Sequence, residues 1–298
     1  MFEVVNIPTG AADLPEQIGT KAKFWFDENR RLFKEGRPGT GENWAEVVSA
    51  QLAHDLGLPH ANYSLALYED RQGVVTESFA PAGTRLVLGN ELIGFSAREI
   101  GGGQPRREAH TIRRESHTIG RIGALLNRKS VGLPSSWDQP TRELNAADVM
   151  CGYLLLDALI GNQDRHEENW GFVVSQEGAR LAPTFDHASS LGRNEQDATR
   201  LQKLAQKNDT HGVLGYVKRA KTPLYEGLNA LRPLEAFWAL SRISPDRGQY
   251  WIAQLSKIDP ASFDDLLSRV PEGWISEPAR YFAVEIIKVN RERILRES

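Results

Sequence analysis

Cysteine is nearly absent from this sequence: Cys151, inside an apolar run, is the single one. One thiol per chain excludes an internal disulfide framework and a thiolate zinc site, and Cys151 reads as a small buried apolar residue. Long apolar runs are also missing. None approaches the roughly 18 residues that a membrane span needs. Residues 1–10 (MFEVVNIPTG) lack the basic and long apolar regions of a secretory signal. A cytoplasmic protein with no membrane partner is therefore expected. Charge of one sign is scarce as well: 36 Lys and Arg against 39 Asp and Glu leave a net charge of −3. That balance excludes a general grip on nucleic acid or on an anionic bilayer, so no direct nucleic-acid partner is expected. No internal repeat and no low-complexity linker interrupts the chain. What remains is a globular composition at 298 residues, long enough for one large domain or two lobes burying about three quarters of the unfolded surface.

Residues 1 to about 80 read as strand-rich with one helix. Residues 21–26 (KAKFWF) and 31–34 (RLFK), on either side of a charged turn at 27–30, predict a hairpin. The breaker at 36–41 precedes a helix from Glu42, in which Trp44, Val47, Val48, Leu52 and Leu56 recur at three- and four-residue steps. Gly57 and Pro59 end it. Residues 63–68 and 74–79 predict two more strands across a turn at 69–73, and 80–83 is a break. We place the boundary there, between an N-terminal lobe (1–82) and a C-terminal lobe (83–298). Residues 95–107, with Gly101, Gly102, Gly103 and several arginines, predict a mobile surface loop. Residues 112–126 predict a helix with Ile119, Ile122 and Leu125 or Leu126 inward. Asn145 with Asp148 forms a loose capping box ahead of 149–160, which is apolar on nearly every face and so reads as a buried helix. Further helices are predicted at about 224–241, 246–255, 262–268 and 277–295. Strands with one helix, then mostly helices, make an α+β, two-lobed pattern.

The chemistry lies in residues 160–192, IGNQDRHEENWGFVVSQEGARLAPTFDHASSLG. Phosphoryl transfer asks for positioning and charge neutralisation rather than covalent work by the protein. Asp164 and Asn169, five residues apart, let one loop aim a carboxylate at a hydroxyl and an amide oxygen at magnesium. Asn169 leads into an apolar strand at 170–174; a turn at 176–179 and a return strand at 181–185 bring Asp186 back beside the first pair. Magnesium binds through one or two carboxylates plus substrate phosphates, and Asp186 with Asn169 meets that requirement. Each of these residues alone reads as a turn former; together, after a buried helix and across a hairpin, they read as a site.

DRHEEN followed by a strand, then FDHASSLG, resembles the HipA-like serine/threonine kinases, bacterial kinases of toxin–antitoxin modules. The DRH-x-x-N run is also similar to the phosphoinositide-kinase loop, so the motif alone does not select a substrate. The resemblance implies a two-lobed, protein-kinase-like fold, with ATP and Mg²⁺ as cofactors. It implies Asp164 as catalytic base, and Asn169 and Asp186 as magnesium ligands, with His187 replacing the phenylalanine of a DFG motif. Lys34, at the end of a strand, falls where the family has its ATP-contacting lysine, and Glu46 where its ion-pair partner sits. His166 is read as orienting the loop by hydrogen bonding. Residues 19–23 (GTKAK) resemble the family's phosphate loop, which makes Gly19, Thr20 and Lys21 candidate phosphate contacts through backbone amides and charge. Where many relatives carry an autophosphorylated serine before this glycine, this chain has Glu16, Gln17 and Ile18. Glu77 and Phe79, ending the last strand before the boundary, fall at the hinge, where main-chain groups would bind adenine. The match covers about residues 15–295 and implies a kinase-only member without the N-terminal subdomain of full-length HipA proteins.

Other features read as decoys. Gly101–Gly103 is not set between a strand and a helix, so it reads as a flexible loop. His110, His117, His166 and His187 lack the paired short spacing of a zinc site. Arg106, Arg107, Arg113, Arg114 and Arg121 form a basic patch, read as a solvated face or as a dock for an acidic substrate. The expected activity is ATP-dependent phosphorylation of a protein hydroxyl, for instance on an aminoacyl-tRNA synthetase, with an antitoxin as partner. The rival readings are a lipid or small-molecule kinase with the same loop, and a weakly catalytic nucleotide-binding module.

Overall fold

Six strands from the first 77 residues make one sheet: β1 (Val4–Ile7), β2 (Leu14–Pro15), β3 (Lys23–Phe26), β4 (Arg31–Glu35), β5 (Tyr63–Tyr68) and β6 (Arg71–Glu77), in the order β1-β5-β6-β4-β3-β2. This is a computed structural model, and it describes residues 1–12, 14–15, 22–98, 116–135, 137–138, 142–206 and 210–297. The expected hairpin is β3–β4, with Phe24 opposite Phe33 and Lys23 opposite Lys34. Its turn holds Asp27, Glu28 and Asn29 at φ of 56°, 57° and 61°, a left-handed path that Asp and Asn tolerate best. The β5–β6 turn is shorter than expected. Glu69 and Asp70 at φ of 48° and 63° make a two-residue loop, and β6 starts at Arg71. Two positive φ angles match the right-handed twist of the flanking strands. The edge strand β1, paired in parallel with β5, was not anticipated.

Helix α1 (Glu42–Asp55) runs where the periodicity placed it and stops at Leu56 and Gly57, whose φ is 73°. It lies between two layers. Trp44, Val48 and Leu52 join the large helical core, while Val47 packs with Leu65 and Val74 beneath the sheet.

The second part of the chain holds a four-stranded sheet, β7-β9-β10-β8, from β7 (Arg85–Leu88), β8 (Val131–Gly132), β9 (Gly171–Ser175) and β10 (Gly178–Leu181). Helices α2 (Gly89–Arg98), α3 (Ile119–Leu126) and α4 (Ala146–Ile160) come between these strands. Helix α4 is the spine of the core, and every residue of 149–160 is buried. Each fully buried Leu or Ile contributes about 1.5–3 kcal/mol, so this helix anchors whatever follows it. Its capping box is complete: Asn145 Oδ1 accepts from Asp148 N–H at 3.0 Å, and Asp148 Oδ2 accepts from Asn145 N–H at 2.8 Å. Gly161, at φ 65°, ends the helix and turns the chain into the loop that follows.

After β10 come α5 (Asp197–Ala205), α6 (Val213–Arg219), β11 (Tyr225–Glu226), β12 (Asn229–Ala230), α7 (Pro233–Ser241), α8 (Pro245–Ser256), α9 (Ser262–Ser268) and α10 (Glu277–Arg296). The helix expected over 224–241 is in fact a hairpin followed by a helix. Gly227, at φ 58°, turns β11 into β12, and Pro233 opens α7 at its first turn. Helix α3 shows the expected inward face, with Ile119, Ile122 and Leu126 buried. Residues 95–98, expected in a loop, close α2. Gly101, Gly102, Gly103, Arg106, Arg107, His110, Arg113 and Arg114 lie outside the described residues. The architecture is α+β, a strand-rich N-terminal region followed by a helical C-terminal part.

Candidate active site

A cleft of about 580 Å³ opens between the two sheets. Lys34, Glu77, Phe79, Asp164, His166, Asn169 and Asp186 all line it. Glu46 stands behind it, 2% exposed. Gly19, Thr20 and Lys21 lie outside the described residues, while Lys23, in the same segment, lines the cleft opposite Lys34. Lys23 and Lys34 are register partners across the β3–β4 hairpin, so two basic side chains belong to the wall of this cleft.

The loop carrying Asp164 is tied at every step. Asn162 Nδ2 donates to Asp157 at 2.8 Å, and Asn162 Oδ1 accepts from Asp164 N–H at 3.1 Å. His166 N–H reaches Asp164 C=O at 2.7 Å, and Asn169 N–H reaches His166 C=O at 3.0 Å. His166 Nδ1 accepts from Glu168 N–H at 3.1 Å, a bond within the loop; its Nε2 lies 3.7 Å from Asp164 Oδ1. Asn169 Nδ2 donates to Asp164 C=O at 2.7 Å. With the amide nitrogen spent on the loop, its oxygen is the atom left for a cation. Trp170 anchors the loop's exit, donating from Nε1 to His117 Nε2 at 3.0 Å; His117 is thereby a packing partner.

Arg165 was not anticipated. Its guanidinium, 1% exposed, grips Asp157 with Nε and Nη2 and the Asn169 carbonyl with Nη1. The readable signal was Asp157 itself: a carboxylate inside an otherwise apolar buried helix requires a cation.

Asp186 sits at φ 59°, the left-handed region. Its carboxylate Oδ2 is 3.5 Å from Lys34 Nζ. Burial alone would lower the proton affinity of Lys34, but Asp186, with Tyr63 and Glu46, more than reverses this and holds it above the ordinary lysine value. Burial pushes the Tyr63 phenol the other way, up and neutral, and its hydroxyl accepts from Asp186 N–H at 3.4 Å.

The expected Lys34–Glu46 ion pair is not formed. Glu46 instead accepts from the main-chain N–H of His187 at 2.8 Å and of Ala188 at 2.9 Å, with His187 Nδ1 at 3.3 Å. A buried carboxylate needs several donors, and two amides plus an imidazole supply them where a single ammonium does not. His187 Nε2 continues to Thr184 Oγ1 at 2.7 Å, and that hydroxyl meets Arg165 Nη2 at 3.1 Å. The two ring nitrogens of His187 are what make this bridge possible. Glu46 therefore holds the segment that carries Asp186, while Lys34 faces Asp186 directly.

At the far end the cleft is apolar. Phe79 stacks on Phe185 at 5.4 Å, and Leu32, Leu86 and Leu88 complete a slot suited to a flat ring. Ser78 N–H is held by Arg30 C=O at 2.8 Å, which fixes the strand end beside it. Among the described residues no group of three or more His, Cys, Asp or Glu is placed to hold a metal ion. One carboxylate and one amide oxygen fit a cation that draws its remaining ligands from phosphate and water.

The profile of the HipA-like C-terminal domain matches residues 21–233. No curated protein matches the chain. Among solved structures, the Helicobacter pylori proinflammatory kinase CtkA is similar over 94% of this chain and 92% of its own, at 18% identity and a TM-score of 0.66. HipA of Shewanella oneidensis MR-1, solved with HipB and operator DNA, is similar over 95% of this chain at 15% identity and a TM-score of 0.60. This chain spans 65% of the length of that HipA. Both share the fold.

Proposed function

The chain belongs to the family of HipA-like C-terminal domains, and on that premise we propose that it is an ATP-dependent serine/threonine protein kinase. The observation that carries the proposal is the convergence of Lys34, Asp164, Asn169 and Asp186 on one cleft with an apolar slot at its end. The division at residues 82 and 83 would separate the sheet that covers the nucleotide from the part that presents Asp164.

In this reading Asp164 accepts or orients the proton of the attacking hydroxyl. Lys34, which stays charged, neutralises phosphate oxygens with Lys23 beside it. The main chain at Glu77 and Phe79 receives adenine, and Gly19, Thr20 and Lys21 cover the phosphates. Asn169 and Asp186 would hold Mg²⁺, which when bound draws charge from the phosphates being separated. Lys34 and Asp186, which face each other at 3.5 Å, are the two side chains that would turn to phosphate and to the cation. Preorganised charge supplies most of the acceleration in such reactions.

The acceptor is a protein hydroxyl, with a translation factor such as an aminoacyl-tRNA synthetase as candidate, and an antitoxin is the candidate partner. No helix among the described residues is long and apolar enough to cross a membrane, which accords with action in the cytoplasm. Incubation with γ-labelled ATP, Mg²⁺ and a cell lysate tests the proposal. Label should enter discrete protein bands with wild type and none with Asp186→Asn. Label confined to lipid or soluble metabolites rejects a protein acceptor, and near-normal transfer by Asp186→Asn rejects the site.

A further inference from the structure

Helix α1 meets the segment after Asp186 through a polar stripe. Glu42, Glu46 and Ser49 stand four and then three residues apart, on one helical face, and all three are buried. Glu42 takes the guanidinium of Arg193, Glu46 takes the amides of His187 and Ala188, and Ser49 Oγ lies 3.2 Å from Ser190 Oγ. Gly41 N–H adds a tie to Arg193 C=O at 3.0 Å. The helix therefore fixes the segment from His187 to Arg193.

From that segment one hydroxyl reaches the loop of Asp164. Ser189 Oγ donates to Asp164 Oδ2 at 3.2 Å and accepts from Arg193 Nη2 at 3.0 Å. The other end of the Arg193 fork, Nη1, is on Glu42. The serine and threonine hydroxyls elsewhere in the cleft wall are turned away: those of Thr76, Ser78 and Thr84 each donate to a nearby main-chain carbonyl. Ser189 is aimed at a carboxylate that is otherwise loosely held. The Asp164 side chain is 47% exposed, and His166 stands beyond hydrogen-bond length from it.

We propose that Ser189 and Arg193 are positioning residues for Asp164, with Glu42 as their anchor on α1. This rests on Asp164 acting as the base. A half-exposed carboxylate turns about its last torsion. A hydrogen bond on Oδ2 fixes the plane of the group and leaves Oδ1 for the incoming hydroxyl, and geometry is the first requirement of a general base. The Arg193 fork cannot be copied by lysine, because one ammonium does not bridge Glu42 and Ser189 in a plane. The position of α1 is thus transmitted to the base through Arg193 and Ser189, whereas Glu46 acts on the neighbouring metal-ligand segment.

The test is kinetic, with casein as acceptor and release of phosphate from ATP as a second reading. Ser189→Ala and Arg193→Lys should each lower kcat about ten- to one-hundred-fold. KM for ATP should change by less than about twofold, because neither residue belongs to the proposed nucleotide contacts. Ser189→Thr, which keeps the hydroxyl, should recover most of the loss. On an Asp164→Asn background, Ser189→Ala should cost nothing further, since a residue acting through Asp164 has nothing left to position. Melting curves of all variants separate loss of fold from loss of rate. Ser189→Ala at the wild-type rate, an equal Ser189→Ala penalty on both backgrounds, or no recovery with threonine overturns the inference while leaving the kinase reading intact. A wild-type chain that binds Mg–ATP yet labels no casein and releases no phosphate overturns the kinase reading and this inference with it.

Discussion

Replacing Arg165 by leucine tests how the loop of Asp164 is held. The guanidinium makes four hydrogen bonds: to Asp157 Oδ2 at 2.7 Å and Oδ1 at 2.8 Å, to the Asn169 carbonyl at 2.6 Å and to Thr184 Oγ1 at 3.1 Å. Burial opposes its charge, but Asp157 outweighs burial and holds the proton affinity above the ordinary arginine value, so the guanidinium is charged at every working pH. Leucine fills part of the volume and leaves Asp157, 2% exposed, with Asn162 Nδ2 at 2.8 Å as its described side-chain donor. Breaking a buried pair from one side costs about 3–5 kcal/mol, against a total stability of roughly 5–15 kcal/mol. The melting midpoint should fall by roughly 5–15 °C, and the urea midpoint should fall with an unchanged slope. The double variant Asp157→Leu with Arg165→Leu removes both charges and should regain at least about half of the loss. A single variant within about 1 kcal/mol of wild type, or a double variant weaker than the single, refutes the argument that uncompensated charge is the cause. The single variant should also weaken Mg–ATP binding measured by calorimetry, because Arg165 holds the carbonyl of Asn169.

Asp164→Asn should bind ATP with near wild-type affinity and lose transfer, read by calorimetry and label incorporation on the same preparation; loss of binding would remove Asp164 from the role of base. The folded-state proton affinity of Lys34 is raised above 10.5. The stabilisation from this raised affinity is therefore fully present below the unfolded value and is lost only as pH rises through the folded one. ATP affinity should accordingly be flat from about pH 7 to about pH 9, and a decline there that Lys34→Arg abolishes would contradict the Lys34–Asp186 geometry. Cys151 is fully buried and its thiol is pushed up to about 12 by burial, with Ser241 opposing weakly. Iodoacetamide at about pH 8 should leave it unmodified in the native protein and alkylate it fully in denaturant; rapid native labelling would show that the core opens.

Local patterns were the legible part. The cap at Asn145, the buried run after it, the end of α1 at Gly57 and the β3–β4 hairpin all follow from short-range chemistry, and each is present. Strand β1 was hidden because its partner β5 lies about sixty residues away in a parallel pairing, which leaves no turn signal beside it. Helices α5 and α6 were hidden by brevity and by polar content in α5. Of the cleft, Asp164, Asn169 and Asp186 were readable as residue types at a telling spacing, whereas Lys34 was picked out only through the family resemblance. The partner of Glu46 was not, because which donors a buried carboxylate meets is decided by how a helix approaches a distant segment. Arg165, His187 and Arg193 look like ordinary polar residues in the sequence; their contacts with Asp157, Glu46 and Glu42 come from elements distant in the chain or from burial, and neither is visible there.

The polar stripe on α1 makes the helix a ruler. Glu42, Glu46 and Ser49 span about 10 Å of axis at about 1.5 Å per residue, and one added residue turns everything beyond it by about 100°. Every substitution on the outer face, at His54 or Asp55 for example, leaves the phase intact. A single insertion or deletion between Glu42 and Ser49 displaces at least one of the three contacts whatever residue is used. Helices exchanged between relatives should therefore be matched by phase before they are matched by identity, and length changes in this family should fall in the connection before Glu42 or after Asp55.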